Sequence, residues 1–157
     1  MPVHNVYPAG NVKIAGQIIH PADVLAGIGL VLAVEIKIPT ALANSLIAQG
    51  KPIPVPVTGG ALVDTGATSC CIEESIVQQL GLQVVGQTNV CGVGGLKLQN
   101  IYLAEMAFPG SPIPQMPLRL VGVQMPGTGI VSLIGRDILR HCVLVYNGPM
   151  GSYSISF

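Results

Sequence analysis

Glycine and proline punctuate this chain along its whole length. There are 20 Gly and 13 Pro among 157 residues, and the apolar residues between them lean to Val, Ile and Leu. That pattern favours many short strands joined by turns. The length suits one domain, or two very small ones. The clearest strand is "LVLAVEIKI" (30–38). Leu30, Leu32, Val34, Ile36 and Ile38 share one face, and Glu35 and Lys37 point the other way. "PIPVPV" (52–57) is extended and suits a sheet edge, because its prolines cannot donate to a ladder. "GGALVDTG" (59–66) reads as a buried strand that ends in a turn.

Further strands are expected in "LQVVGQTNV", "LKLQNIYLAEMAF", "MPLRLVGVQM" and "VSLIG". "VLVYN" and "SYSISF" read as a terminal hairpin, and "PGSPIPQMP" (109–117) as a surface turn. Residues 72–80 place Ile72, Ile76, Val77 and Leu80 at helical spacing. Two Glu sit in the first turn and Gly81 follows as the stop signal. "RDILRHC" is one or two helical turns, with Asp137 favouring their start. "PTALANSLIAQGK" (39–51) reads as a loop with a helical turn. "NVKIAGQII" (11–19) fits a strand and "HPADVLAGIG" (20–29) a turn or short helical piece. The expected architecture is mostly β with two short helices. Residues 1–29 are read as an extension of unassigned role before a domain spanning 30–157.

Half the residues are hydrophobic and 9% are charged, with a formal net charge of zero. So little charge is unusual for the surface of a monomer, and it points to apolar surface covered by a second chain. No basic run exists, which argues against nucleic-acid binding. No uncharged apolar stretch is long enough for a spanning helix. The N-terminus lacks the pattern of a secretory leader, so a cytoplasmic, non-membrane protein is expected. Cys70, Cys71, Cys91 and Cys142 form no C-x-x-C pair, so neither a metal site nor a cofactor is called for. Free, mostly buried thiols are expected.

Three segments carry chemical promise. In Val63-Asp64-Thr65-Gly66-Ala67 a carboxylate follows a buried strand, and glycine permits a tight turn around it. Read alone, it also fits a plain structural turn. "VCGVGGLKL" (90–98) places Gly92, Gly94 and Gly95 between two strands, either as an ordinary hairpin or as a mobile tip that approaches a ligand. Leu133-Ile134-Gly135-Arg136-Asp137 permits close backbone packing at the glycine, with the forked donors of Arg136 beside it. It too fits a simple strand-to-helix junction.

In order and spacing, the three segments resemble the retropepsin-like aspartic proteases, the single-domain enzymes of retroviruses and their cellular and bacterial relatives. "LVDTGAT" is similar to the catalytic loop, "CGVGG" to the glycine-rich flap, and "LIGRDIL" to the apolar-apolar-Gly-Arg-Asp segment. The resemblance spans about residues 30–157, and the helix after the catalytic turn resembles the cellular and bacterial branch. It implies a closed β-barrel of the acid-protease fold, with one short helix after the catalytic loop and another near the C-terminus. It implies catalysis by Asp64, with Thr65, Gly66 and Ala67 supporting the loop. Cys91, Gly92, Val93, Gly94 and Gly95 would cover an extended peptide, and Gly135, Arg136 and Asp137 would brace the site and the dimer. Cys91 replaces a common flap glycine and is read as inert, the alternative being an exposed thiol whose oxidation hinders flap motion. Thr68 and Ser69 stand where viral enzymes often carry acids, which weakens the case for ionic bracing by Arg136.

Peptide hydrolysis by water needs one carboxylate to take a proton and another, protonated, to give one. Neither Asp23 nor Asp137 is followed by Ser/Thr-Gly, so one chain cannot supply the pair. A symmetric homodimer can, with Asp64 of each subunit meeting across a two-fold axis. In the family the chain termini form the shared sheet, a role the "SYSISF" end could serve. The expected activity is endopeptidase cleavage of extended, largely apolar peptide. The alternative is a non-catalytic dimer of the same fold used for peptide binding or assembly.

Overall fold

A computed structural model describes residues 3–6, 12–14, 17–92, 95–111 and 113–157. Chain order runs β1 (Val3–Val6), β2 (Val12–Ile14), β3 (Gln17–Ile19), α1 (Pro21–Ile28), β4 (Val31–Lys37), α2 (Thr40–Ala48), β5 (Val57–Val63) and β6 (Cys71–Glu73). It continues α3 (Glu74–Leu80), β7 (Val84–Gly92), β8 (Gly95–Ala107), β9 (Met116–Val123), β10 (Ile130–Ile134), α4 (Arg136–Leu139), β11 (Val143–Asn147) and β12 (Ser152–Ser156).

The larger sheet has seven strands in the order β4-β5-β10-β6-β9-β8-β7, and β4 also pairs with β8. That extra pairing closes the sheet into a barrel and leaves β7 outside the ring. Closure gives β4 a partner on both sides, where an open sheet would leave it a free edge. The interior follows the alternation of β4: Leu32, Val34, Ile36 and Ile38 are all buried. They meet Ile72, Leu80, Met106, Leu120 and Ile134 in one core cluster. Each such side chain contributes about 1.5–3 kcal/mol by leaving water.

Two parallel pairings in the barrel place the functional loops. Strands β5 and β10 run parallel, with Val63 opposite Ile134. Their C-terminal ends therefore deliver Asp64 and Gly135 side by side. Strand β6 then pairs antiparallel with β10 and parallel with β9. The chain after Asp64 must thus turn tightly and re-enter the sheet at Cys71.

Several local expectations change. Helix α3 begins at Glu74, because the Glu73 carboxylate accepts from the Ser75 N–H at 3.1 Å and caps it. Ile72 therefore lies on β6 and reaches the core from a strand. Gly81 ends α3 in the left-handed region at φ 63°. Residues 40–48 form a full helix where a loop with one helical turn was expected. Pro39 offers no side-chain cap there. The cap comes from β8, where Glu105 accepts from Thr40 N at 2.7 Å and from Thr40 Oγ1 at 3.0 Å. The proline-rich turn is not purely surface, since Ile113 is buried in the core.

Residues 12–14 and 17–19 form two short antiparallel strands where one strand was expected. Strand β1 pairs with β12, and Leu25 of α1 joins the core. The terminal hairpin forms as expected. Its last strand, however, is the middle of the three-stranded sheet β1-β12-β11. Both edges of "SYSIS" are therefore already paired within the chain, and the free edges of that sheet belong to β1 and β11.

Candidate active site

Asp64 leaves the end of β5 half-buried, and its backbone N–H donates to the Ile134 carbonyl at 3.0 Å. One carboxylate oxygen, Oδ1, accepts from Gly66 N at 2.8 Å and from Ala67 N at 3.3 Å. A Cβ on Gly66 would sit 3.1 Å from that oxygen, so the glycine leaves room for the turn. Among the described residues nothing hydrogen-bonds Oδ2. The carboxylate is held by its own loop through one oxygen and presents the other.

The segment after β10 grips this loop. Arg136 N donates to the Ala67 carbonyl at 2.9 Å. The Arg136 guanidinium donates to the carbonyls of Thr65 at 2.8 Å and Gly66 at 2.9 Å, and to Thr68 Oγ1 at 3.0 Å. Within one chain, Arg136 thus holds the loop through carbonyl and hydroxyl oxygens. Asp137 bonds the Ile138 N–H at 3.0 Å, as a helix-start acid would. It also reaches Cys70, accepting from its N–H at 2.9 Å and from its thiol at 2.9 Å. Gly135 N donates to the same sulfur at 3.2 Å. Cys70 was read only as a buried thiol. Its place in this grip has no local sequence signal, because adjacent Cys70 and Cys71 look equivalent until the fold separates them.

Cys71 turns the other way. With residues 66–69 and Val121 it lines a cavity of about 370 Å³, whose opposite wall is residues 88–91 of β7. The β7–β8 hairpin therefore arches over the loop that follows Asp64. Thr88 and Val90 are half-buried while Asn89 and Cys91 are exposed, which puts the first pair on the inner face of the strand. Gly92 and Gly95 pair at the hairpin's end; Val93 and Gly94 lie outside the described residues. Asp64 is not itself in the cavity wall but stands at the root of the loop that forms it. Among the described residues, no charged side chain lines this cavity.

Both thiols of the adjacent pair are held protonated. Burial, reinforced by the bond to Asp137, pushes Cys70 well above the ordinary thiol range. Burial, then the nearby charges of Asp137 and Asp64, pushes Cys71 up to about 11. The outer face of the loop carries a second depression of about 330 Å³, lined by Thr65, Arg136, Leu139, Arg140 and Leu144. Among the described residues no cluster of His, Cys, Asp or Glu could hold a metal ion. No helix there is long and apolar enough to cross a membrane.

No curated protein matches this chain. Among solved structures, the EIAV protease complexed with the inhibitor HBY-793 is similar at 23% identity and a TM-score of 0.41. That match covers 54% of this chain and 76% of the other. The retroviral protease-like domain of Ddi1 from Leishmania major is similar at 18% identity and a TM-score of 0.41, covering 74% of this chain and 80% of the other. The family model described as retroviral aspartyl protease matches residues 8–145. By that match, which spans the Asp64 loop, the arching hairpin and the Gly135–Asp137 grip, the chain belongs to the retroviral aspartyl protease family.

Proposed function

We propose that this protein is an aspartic endopeptidase that acts as a homodimer, with a water molecule held between Asp64 of each subunit. The observation that carries this reading is the Asp64 loop itself. A carboxylate fixed through one oxygen, with the other presented, stands beside a cavity roofed by a hairpin. Two such carboxylates sharing one proton supply the base that activates water and the acid that protonates the peptide carbonyl. The chain brings one, so the second comes from a second copy.

Exposed apolar side chains support pairing of two chains. Val143, Val145 and Tyr146 of β11 are each at least half exposed on a free sheet edge. Thr65 and Arg136 are exposed together with half-buried Leu139 and Leu144, so the outer face of the loop is open to a partner. The uncharged cavity suits an extended, largely uncharged peptide, with the hairpin adding main-chain hydrogen bonds above it.

Incubation with a diverse peptide library, paired with sedimentation, tests the proposal. Wild-type protein is expected to sediment as a dimer and to cleave, and Asp64→Asn protein to dimerise without cleaving. Cleavage retained by Asp64→Asn in a clean preparation refutes the mechanism. Binding of peptides without products by the wild type supports the non-catalytic alternative.

A further inference from the structure

The grip on the catalytic loop contains a residue that the family resemblance does not single out. We propose that Cys70 is a positioning residue, whose protonated thiol locks the end of the Asp64 loop to the β10–α4 junction through Asp137 and Gly135. The inference rests on the proposed protease function for its kinetic consequence, but not for its structural one.

The sulfur stands between a donor and an acceptor. Gly135 N–H donates to it at 3.2 Å, and it donates to Asp137 Oδ1 at 2.9 Å. The other Asp137 oxygen takes the Cys70 N–H at 2.9 Å. One carboxylate thus holds both the backbone and the side chain of a single residue, and that residue is fully buried. At position 135 there is no room for a side chain. A Cβ at 135 would lie 2.5 Å from the Ser69 carbonyl carbon and 2.9 Å from Cys70 N. The two backbones are in contact, and the thiol bridges them.

The lock acts on the chemistry by geometry. Asp64 is tied at the near end of the loop by its N–H to Ile134 O. Arg136 holds the middle through Thr65, Gly66, Ala67 and Thr68. Cys70 closes the far end, just before Cys71 enters the cavity wall. With the far end free, the loop could shift against Ile134 while the barrel stays intact. Displacements of about 1 Å at a reacting group cost on the order of a hundredfold in rate.

Serine keeps a donor and an acceptor at the same place, whereas alanine removes both, taking the acceptor from Gly135 N and leaving Asp137 Oδ1 with the Ile138 N–H alone. Asp137→Asn offers one acceptor oxygen to two Cys70 donors, so one is orphaned. The test uses full-length wild type, C70S, C70A, D137N and the double variant C70A/D137N. For C70A, kcat is expected to fall about tenfold or more with KM within about threefold of wild type, and C70S to recover most of kcat. D137N and C70A are expected to be non-additive in the double variant.

A second readout needs no activity. Labelling of native protein by Ellman's reagent should leave Cys70 protected in wild type. D137N is expected to raise its labelling rate about tenfold through local opening, and C70A/D137N to abolish that phase. Wild-type kcat in C70A, or failure of C70S to rescue a defective C70A, overturns the positioning role. An unchanged thiol rate in D137N overturns the lock itself. A wild-type protein that cleaves nothing overturns the protease reading, while the labelling arm still decides whether the lock exists.

Discussion

The Arg136 guanidinium donates to the Thr68 hydroxyl across 3.0 Å. A threonine therefore fills the position where viral relatives often carry an acid, and the brace is built from neutral acceptors. Arg136 also holds the Thr65 and Gly66 carbonyls, both through Nη1, while Nη2 serves Thr68. Lysine has no fork and cannot reproduce that set. R136K is therefore expected to lower both melting temperature and kcat, measured by thermal unfolding and peptide cleavage. T68D would turn the Thr68 contact into an ion pair at an exposed site. The gain should be small, about 0.2–1 kcal/mol, and should vanish in high salt. A stabilisation of T68D that is insensitive to salt would contradict this account.

Glu105 ties α2 to the barrel across 65 residues of sequence, through the Thr40 N–H and hydroxyl. The Thr40 N–H bond, opposed by burial and aided by the Thr40 hydroxyl, Lys37 and Gln115, holds its carboxyl below the usual carboxylate range. The folded-state value is the lower one, so its contribution to stability is present above the unfolded value. It is lost as pH falls through the folded value. E105Q is expected to melt earlier than wild type at neutral pH, with the gap closing below about pH 4. Melting curves of both proteins between neutral and acid pH read this directly, and a gap that widens in acid would reverse the sign.

This cap also shows where reading the sequence stopped. Strand β4 was legible because its alternation is local, and α3 because Gly81 lies in its own segment. Helix α2 was not, because Pro39 caps nothing and the group that does cap it sits on β8. The three site segments were legible as an ordered set, and the parallel β5–β10 pairing explains why two of them meet. The role of Cys70 was not, since only the fold decides which of two adjacent cysteines faces Asp137 and which faces the cavity. The pairing of β12 likewise depends on β1, about 150 residues away.

At Gly135 the limit is steric. A methyl group there would meet the Ser69 carbonyl oxygen at 2.7 Å and the Cys70 nitrogen at 2.9 Å. Both are backbone atoms of the Asp64 loop, so the strain cannot be relieved by rotating a side chain. G135A is expected to cost about 1–3 kcal/mol as overpacking and to depress cleavage more than stability, because the loop is what must move. Denaturant unfolding and kcat together check it. Wild-type values of both would mean that the loop tolerates displacement.

The four thiols should separate cleanly by reactivity. Cys91 is exposed on the arching hairpin, whereas Cys71 is buried and its thiol is pushed up to about 11. The thiolate is the reactive form, so at pH 8 Cys71 is almost wholly inert while Cys91 meets solvent freely. Native protein treated with a maleimide is expected to show one fast phase, absent in C91S, with Cys71 modified only on unfolding. Cys91 is exposed and also lines the cavity, so a bulky adduct there should crowd an entering peptide and raise KM with less effect on kcat. A fast phase that survives C91S, or an adduct that lowers kcat at constant KM, would place the reactive thiol elsewhere in the loop.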